Sequence, residues 1–249
     1  QHALAQRGNE RHAIERVLCA LAPWIGVHRP RLPVTCVRTF FRQLLLAREP
    51  VVFNEVVQAL PVICPSLACH MTATQAEDLV LETARAWMDQ TPTCDPLHGL
   101  LQRAREALEA MPHTTRIRNE LAFLNLLARL HEYAWPSSAE PLTPRRVRAV
   151  PQKLELFARV LAYNRDAYQT RQIRSLGEAC SEGSGSTDNA VRISAMLVDA
   201  AAANGDLVAA CRECERLVTR VQAIDRATNV EAYDAAWRTC FQLAKNPLG

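Results

Sequence analysis

Cys211 and Cys214 are the residues whose types and spacing come nearest to a chemical site, since they form a Cys-x-x-Cys pair. Such a pair can bind zinc when two further cysteine or histidine ligands follow at suitable spacing, or act as the redox pair of a thioredoxin-like fold. No second pair follows, and no strand–helix–strand pattern surrounds them. Both residues lie on the apolar stripe of a strong helical pattern. We therefore predict two structural thiols within a helical core.

A second cluster, Cys64, Cys69 and His70, lies in a proline-rich stretch. Structural zinc sites are four-coordinate, so this cluster would need a distant fourth ligand such as Cys36 or Cys94. The nine cysteines are odd in number and scattered, mostly at apolar helical positions. That distribution favours free thiols in a reducing compartment over a disulfide framework. We predict neither a metal site nor a cofactor.

Sequence motifs for catalysis are missing from the chain. It has no P-loop, no Gly-x-Gly-x-x-Gly, no Gly-x-Ser-x-Gly and no His-Glu-x-x-His. Gly183-Ser184-Gly185 precedes a helical pattern, but no strand leads into it, so a phosphate-binding loop is not expected there. The seven histidines are dispersed. We predict that the chain is not an enzyme.

Arginine carries nearly all of the positive charge, and its densest run is Arg145, Arg146 and Arg148. A helical repeat that reads RNA would carry such residues at fixed repeat positions. Here they do not recur regularly, acidic residues are interspersed, and the net charge is only +3. We predict that this run binds a protein partner, with an RNA-binding helical repeat as the alternative. Two further clusters are Arg38, Arg42 and Arg48, and Arg165, Arg171 and Arg174.

The elements that position these residues are amphipathic helices separated by prolines. Apolar residues make up 49% of the chain, aromatics are scarce at 6%, and alanine and leucine dominate, which favours helix over strand. Roughly eleven helical patterns are visible, and no segment alternates with period two. The prediction is an all-α fold, an irregular α-solenoid of stacked antiparallel helical hairpins, with a globular helical bundle as the alternative.

The last third of the chain has the clearest pattern. Val191, Ala195, Val198 and Ala202 form a helical stripe, and the segment Asn204-Gly205-Asp206 follows it, with Asp206 placed to cap the next helix. Helix, turn and helix together predict an α-hairpin. The helix after it is predicted to bury the face formed by Tyr233, Trp237, Cys240, Phe241 and Ala244.

Two tryptophans, Trp87 and Trp237, lie in register with apolar stripes and are predicted to be core residues. A tryptophan that proved exposed would be the first candidate for a binding hot spot.

Asp95-Pro96 is predicted to begin a helix, with Asp95 as the N-cap and Pro96 in the first turn.

Residues 135–144 contain three prolines and two serines and are predicted to form a linker. At its end, Thr143-Pro144 is predicted to cap a short basic helix. The linker divides the chain into an N-terminal helical part, 1–134, and a C-terminal helical part, 145–249. The chain opens at Gln1 inside a helical pattern, which predicts a fragment of a longer polypeptide. No run of about 18 apolar residues is present, so a membrane-spanning helix is not predicted.

The stretch from Leu142 to Gly177 resembles part of the Sec-thirty-nine domain of the neuroblastoma-amplified-sequence family. The family pattern has a Pro-x-x-Val-Arg opening, a helix leading to Ala-Tyr and a Leu-Gly close. Two later segments, GDLVAACRECERLV and AAWRTCFQLA, are similar to paired helices of the family. An earlier segment, NELAFLNLLARLHEYAW, is similar to the helix before the linker in that domain. The resemblance therefore covers residues 115–245. The matching residues are Pro144, Val147, Arg148, Leu154, Leu156, Ala167, Tyr168, Leu176, Gly177, Asp206, Ala210, Cys214, Leu217, Ala236, Trp237, Cys240 and Leu243.

The resemblance implies an α-solenoid subunit of a multisubunit tethering complex on the cytosolic face of the endoplasmic reticulum. Such a complex captures retrograde vesicles from the Golgi and engages SNARE proteins. The expected partners are therefore other tether subunits and endoplasmic-reticulum SNAREs, with peripheral membrane association through them. A solenoid like the rough-deal kinetochore protein is the alternative within the same class.

Overall fold

Helices make up the regular structure of the described residues. The computed structural model describes residues 73–133, 135, 141–181, 187–222 and 229–245. These ranges contain nine α-helices, one 3₁₀ turn at Ala167–Gln169 and no strand, which confirms the predicted all-α fold. The helices are α1 (Ala73–Gln90), α2 (Gly99–Glu109), α3 (Thr115–His131), α4 (Pro144–Ala149), α5 (Leu154–Tyr163), α6 (Ile173–Ser181), α7 (Thr187–Ala203), α8 (Leu207–Gln222) and α9 (Val230–Lys245).

Several sequence-based predictions concern residues 1–72, which lie outside the described residues. They include the first helical patterns, the cluster of Cys64, Cys69 and His70, and the first arginine cluster.

The described residues fall into two compact units, and the boundary lies within α3. Residues up to 91 and 97–124 belong to the first unit, whereas 92–96 and the residues from 125 onward belong to the second. The predicted division at the proline-rich linker stays a prediction, because residues 136–140 of that linker lie outside the described ranges.

Charged side chains connect α1 to α3 in the first unit. Glu120, which is buried, accepts a hydrogen bond from Nε of Arg85 at 2.7 Å. Arg116 donates to Oδ1 of Asp78, also at 2.7 Å. A buried carboxylate needs a charged or hydrogen-bonding partner, and Arg85 supplies it. These pairs link α1 to α3. α1 also packs on α2, and its Trp87 is only 3% exposed.

The start of α2 differs from the sequence prediction. The N-cap is His98, whose Nδ1 accepts from the backbone N–H of Leu100 at 3.4 Å, and the predicted cap Asp95 lies outside the helix. Residues 92–96 are held by the second unit: Sγ of Cys94 donates to the carbonyl of Leu142 at 3.4 Å. The Asp95 carboxylate lies 3.9 Å from Nε2 of His131. Tertiary contacts therefore keep Asp95-Pro96 out of the helix that their types favour.

The turn between α7 and α8 confirms the predicted hairpin. Gly205 has φ of +76°, the left-handed region that glycine adopts without strain. The N–H of Asp206 bonds to the carbonyl of Ala201, and that of Gly205 to Ala202, which is the Schellman pattern of a helix end. Oδ1 of Asp206 then accepts from the N–H of Ala209 at 2.9 Å and caps α8. The two helices are therefore antiparallel neighbours.

The core of the second unit at its C-terminal end is built largely from small residues of α7, α8 and α9. α7 packs on both α8 and α9. Arg192 of α7 joins the helices at the surface, since it bonds to Asp188 on its own helix and to Glu231 of α9. The buried core residues are Val191, Ala195, Val198, Ala201, Ala210, Leu217, Val221, Ala232 and Ala236.

A glycine sets the distance between α6 and α7. A Cβ added at Gly177 would lie 2.9 Å from Cγ2 of Ile193, closer than real carbon contacts allow. The absence of a side chain at Gly177 lets the two helices approach this closely, and both residues are buried.

Candidate partner-binding surface

The basic run predicted to bind a partner lies on the short helix α4. Thr143 is its N-cap, as the sequence predicted, and its Oγ1 accepts from the N–H of Arg146 at 3.4 Å. Val147 is fully buried, so it anchors the helix and fixes which side faces solvent. Arg145 is exposed, while Arg146 and Arg148 are half-buried. Of the three predicted arginines, only Arg145 is therefore exposed to solvent.

Lys153 lies beside this helix and adds positive charge that the sequence reasoning missed. Its Nζ donates to the carbonyls of Arg148, at 3.1 Å, and of Val150. Burial and the nearby charge of Arg148 lower the pKa of Lys153. These carbonyls belong to the end of α4, where a cation is favourable. Partner binding by Arg145, Arg146 and Arg148 stays a prediction.

A second surface, of a different chemical kind, lies on α9. Trp237 is 68% exposed and Phe241 is 45% exposed, although both are large apolar residues. Their rings stack, with centroids 6.0 Å apart and planes inclined by 24°. The Nζ of Lys245 lies 4.4 Å from the Phe241 ring centroid, a cation–π contact. We call Val230, Trp237 and Phe241 the aromatic face; all three are exposed.

The aromatic face corrects the sequence prediction, which placed Trp237 and Phe241 in the core. α9 instead buries Ala232, Ala236 and Thr239. Their small side chains allow α9 to lie close to α7, whereas the aromatic rings would hold the helices apart. The helix has two apolar stripes, and hydrophobic spacing alone does not say which one is buried.

The neighbouring helix α8 also exposes apolar residues. Cys211 is exposed, so the prediction that it is a core thiol was wrong, whereas Cys214 is half-buried. Sγ of Cys214 lies 3.2 Å from Sγ of Cys240 on α9. Cys211 and Val218 flank Cys214 on α8, and Trp237 flanks Cys240 on α9, because residues three or four apart share a helix side. The exposed apolar residues of the two helices therefore adjoin at the thiol contact.

Charged residues of both signs surround this apolar surface. Asp234, Arg238 and Lys245 on α9 are exposed, as is Glu215 on α8. An apolar centre with aromatic residues and a polar rim of mixed charge is the usual composition of a protein–protein interface. A nucleic-acid surface would instead be strongly basic.

In the described ranges, no group of three or more histidine, cysteine, aspartate or glutamate residues could hold a metal ion. Over those same ranges, no helix combines the length and apolar character needed to cross a membrane.

Fold and surface together define a class: an all-α protein of stacked helices with an exposed apolar and aromatic face. The comparison with protein families is more specific. The family described as secretory pathway protein Sec39 matches residues 38–247. The chain therefore belongs to this family, which confirms the resemblance noted in the sequence and assigns the protein to the secretory pathway. No curated protein matches the chain significantly.

Proposed function

We propose that the protein is a non-enzymatic scaffold subunit of a multisubunit tethering complex for Golgi-to-endoplasmic-reticulum retrograde vesicle transport. It binds other tether subunits and endoplasmic-reticulum SNAREs, and through them it associates peripherally with the cytosolic face of the endoplasmic reticulum. The observation that carries this proposal is the exposed Trp237–Phe241 pair in a member of a secretory pathway family.

The aromatic face suits an amphipathic helix of another tether subunit. Tryptophan and phenylalanine bring large apolar area and few rotatable bonds, so they lose little entropy on binding. An amphipathic helix would place its own apolar stripe between the exposed residues of α8 and α9, such as Val218 and Trp237. Rim charges of both signs would fix its register and orientation.

The basic helix α4 is proposed as a second, electrostatic contact. Arg145 is exposed at the surface, and Arg146 and Arg148 lie on the same short helix. These positive charges suit acidic segments of SNARE helices, and they would raise the rate of encounter more than the final affinity. Binding through α4 should therefore weaken with salt, while binding through the aromatic face should change little.

Two alternatives share parts of this description. A kinetochore scaffold like the rough-deal protein would have the same stacked helices and would also bind partners through apolar faces. The family match to a secretory pathway protein favours the tether over it. An RNA-binding helical repeat would use the arginines, but acidic residues lie among them and around the aromatic face.

The experiment that tests the proposal is affinity purification of the tagged protein from cytosolic and membrane extracts, with and without nuclease, followed by mass spectrometry. Recovery of tether subunits and endoplasmic-reticulum SNAREs, unchanged by nuclease, is the expected result. Kinetochore subunits in their place would move the function to chromosome segregation. Ribonucleoproteins lost on nuclease treatment would mean that the arginine clusters bind RNA.

The non-enzymatic part of the proposal has its own test. A hydrolase or transferase activity that follows the purified protein through successive columns would contradict it. Each fraction is assayed with generic ester, phosphate and peptide substrates. Any activity found is expected to elute with contaminants and to separate from the protein.

A further inference from the structure

The contact between α8 and α9 contains two thiols in unusually close contact. Sγ of Cys214 and Sγ of Cys240 are 3.2 Å apart, and both residues are half-buried beside the exposed surface. A disulfide bond is about 2.05 Å long, so the sulfur atoms would need to approach by only about 1 Å to be joined. Each thiol lies on a regular helix that packs on α7, so the pair is held together by the fold.

The other described cysteines show why this pair differs. Cys94 is buried, its Sγ donates to a backbone carbonyl, and burial raises its pKa to about 12. Cys180 is buried in α6. A thiol enclosed in this way is out of reach of oxidants. Cys214 and Cys240 combine close mutual contact with partial access to solvent, and the exposed Cys211 lies one helical turn from Cys214.

We propose that Cys214 and Cys240 are a redox modification site, at which a peroxide oxidant joins them in a disulfide that links α8 to α9. One of the two thiols loses its proton, its sulfur attacks one oxygen of hydrogen peroxide, the O–O bond breaks, and hydroxide leaves with a sulfenic acid formed on that cysteine. The sulfur of the other thiol then attacks the sulfenic acid sulfur, its proton goes to the departing hydroxide, and water leaves. In sum, two thiols and one peroxide give one disulfide and two waters, with sulfur oxidised and peroxide oxygen reduced.

Whichever thiol reacts first, the other lies in contact with it. The second step is intramolecular between atoms already in contact, which makes it fast and protects the sulfenic acid from further oxidation.

The disulfide would fix the crossing of α8 and α9 directly beside Trp237 and Val218, and reduction would release it. The proposal concerns only the chemistry of these two side chains and does not rest on the proposed tethering function.

Trypsin provides a sharp test, because arginines separate the three cysteines. Cleavage after Arg212 leaves Cys211 upstream; Cys214 falls in peptide 213–216, and Cys240 in peptide 239–245. The reduced protein is freed of reductant, treated with equimolar hydrogen peroxide, alkylated and digested without reduction. Mass spectrometry is expected to find peptides 213–216 and 239–245 joined, with both thiols lost together about tenfold faster than that of Cys180.

Three variants make the result decisive. Cys211→Ser removes the exposed thiol and should leave the joined peptides unchanged, whereas Cys214→Ser and Cys240→Ser should abolish them. Circular dichroism confirms that each variant is folded, and the wild-type protein supplies the main result even if one variant does not fold. Three results would each overturn the proposal. The first is oxidation of Cys211 alone, and the second is a disulfide between Cys211 and Cys240. The third is that the joined peptides come only from a disulfide-linked dimer, which the Cys211→Ser variant no longer forms.

Discussion

Two tryptophans that look alike in the sequence have opposite environments in the structure. Trp87 of α1 is 3% exposed and packs in the core of the first unit, whereas Trp237 of α9 is 68% exposed. Each lies in register with apolar neighbours along its helix. The difference is that α1 buries its aromatic residue, while α9 buries alanines and leaves its aromatic residues outside.

This difference separates apolar residues that stabilise the fold from apolar residues that are free to bind. A contiguous exposed apolar surface on a folded protein usually marks an interaction site, because water contact with it is unfavourable. Trp237, Phe241 and Val230 form such a surface. Substitutions at Trp87 and Trp237 should therefore affect different properties.

The largest effect is expected for Trp87→Ala. Removing a fully buried indole loses its transfer free energy and leaves a cavity, which should lower the free energy of unfolding by about 3–5 kcal/mol. Urea unfolding followed by circular dichroism measures this loss. A change below about 1 kcal/mol would mean that α1 does not depend on its buried tryptophan, and the comparison would fail.

Trp237→Ala should act on binding and leave the fold nearly unchanged. Loss of an aromatic hot spot should weaken binding of the recovered tether subunit by about 2 kcal/mol, roughly 30-fold. The free energy of unfolding should change by no more than about 0.5 kcal/mol, since the side chain is exposed. Titration calorimetry and urea unfolding give the two values.

Leu97→Ala is the matched control for Trp237→Ala, because Leu97 is an exposed apolar residue on another part of the chain. It should change neither binding nor stability. If Trp237→Ala destabilised the protein as much as Trp87→Ala, the aromatic face would belong to a core and not to a binding surface.

Gly177→Ala tests whether the helices of the second unit pack as closely as the structure indicates. The new methyl group would lie 2.9 Å from Ile193, and such overpacking costs about 1–3 kcal/mol. The better helix propensity of alanine offsets about 0.5–1 kcal/mol of that. Urea unfolding should give a net loss, whereas Gly99→Ala, with nothing within 4 Å of its Cβ, should be neutral or slightly stabilising.

The smallest effect concerns pH and the cap of α8. The hydrogen bond from the N–H of Ala209 lowers the pKa of Asp206, with support from Tyr168. A folded pKa below the unfolded value of about 3.9 means that the carboxylate stabilises the fold above that pH. The stabilisation is lost as the pH falls through the lower folded value.

Asp206→Ala should therefore be less stable than the wild type at pH 7, and the difference should shrink below about pH 4. Asp206→Asn retains the capping oxygen without a titrating group, so the stability that its amide provides should not depend on pH. Thermal unfolding between pH 2.5 and 7 measures all three proteins. A constant difference between wild type and Asp206→Ala across this range would contradict the role of the ionised carboxylate.

Local signals in the sequence were sufficient for several features. The Asn-Gly-Asp turn, the cap at Thr143 and the all-α fold follow from turn chemistry, capping and helical periodicity, and the structure confirms them. Asp95 was a plausible N-cap, but contacts of residues 92–96 with the second unit place the helix start at His98 instead. An N-cap residue pattern reflects only the residues of one helical turn, so it does not report tertiary contacts.

The same local signals could not predict which residues form the candidate surface. Periodicity located apolar residues on α8 and α9, yet each helix has more apolar positions than one core can cover, as Cys211 and Phe241 demonstrate. The arginine run was found because charge is visible in sequence, whereas Lys153 was missed because its approach to α4 depends on the turn that follows that helix.

The amino-acid sequence by itself determined that the chain is helical, where its clearest hairpin turns, and which family it belongs to, because these depend on local preferences and residue patterns. Only the tertiary structure decided that Ala232 and Ala236 are buried, that Trp237 is exposed, and that Cys214 meets Cys240. The rotation of a helix about its axis is set by how closely its neighbours can approach. Small residues allowed α9 to approach α7 on its alanine side, and the aromatic face was left outward.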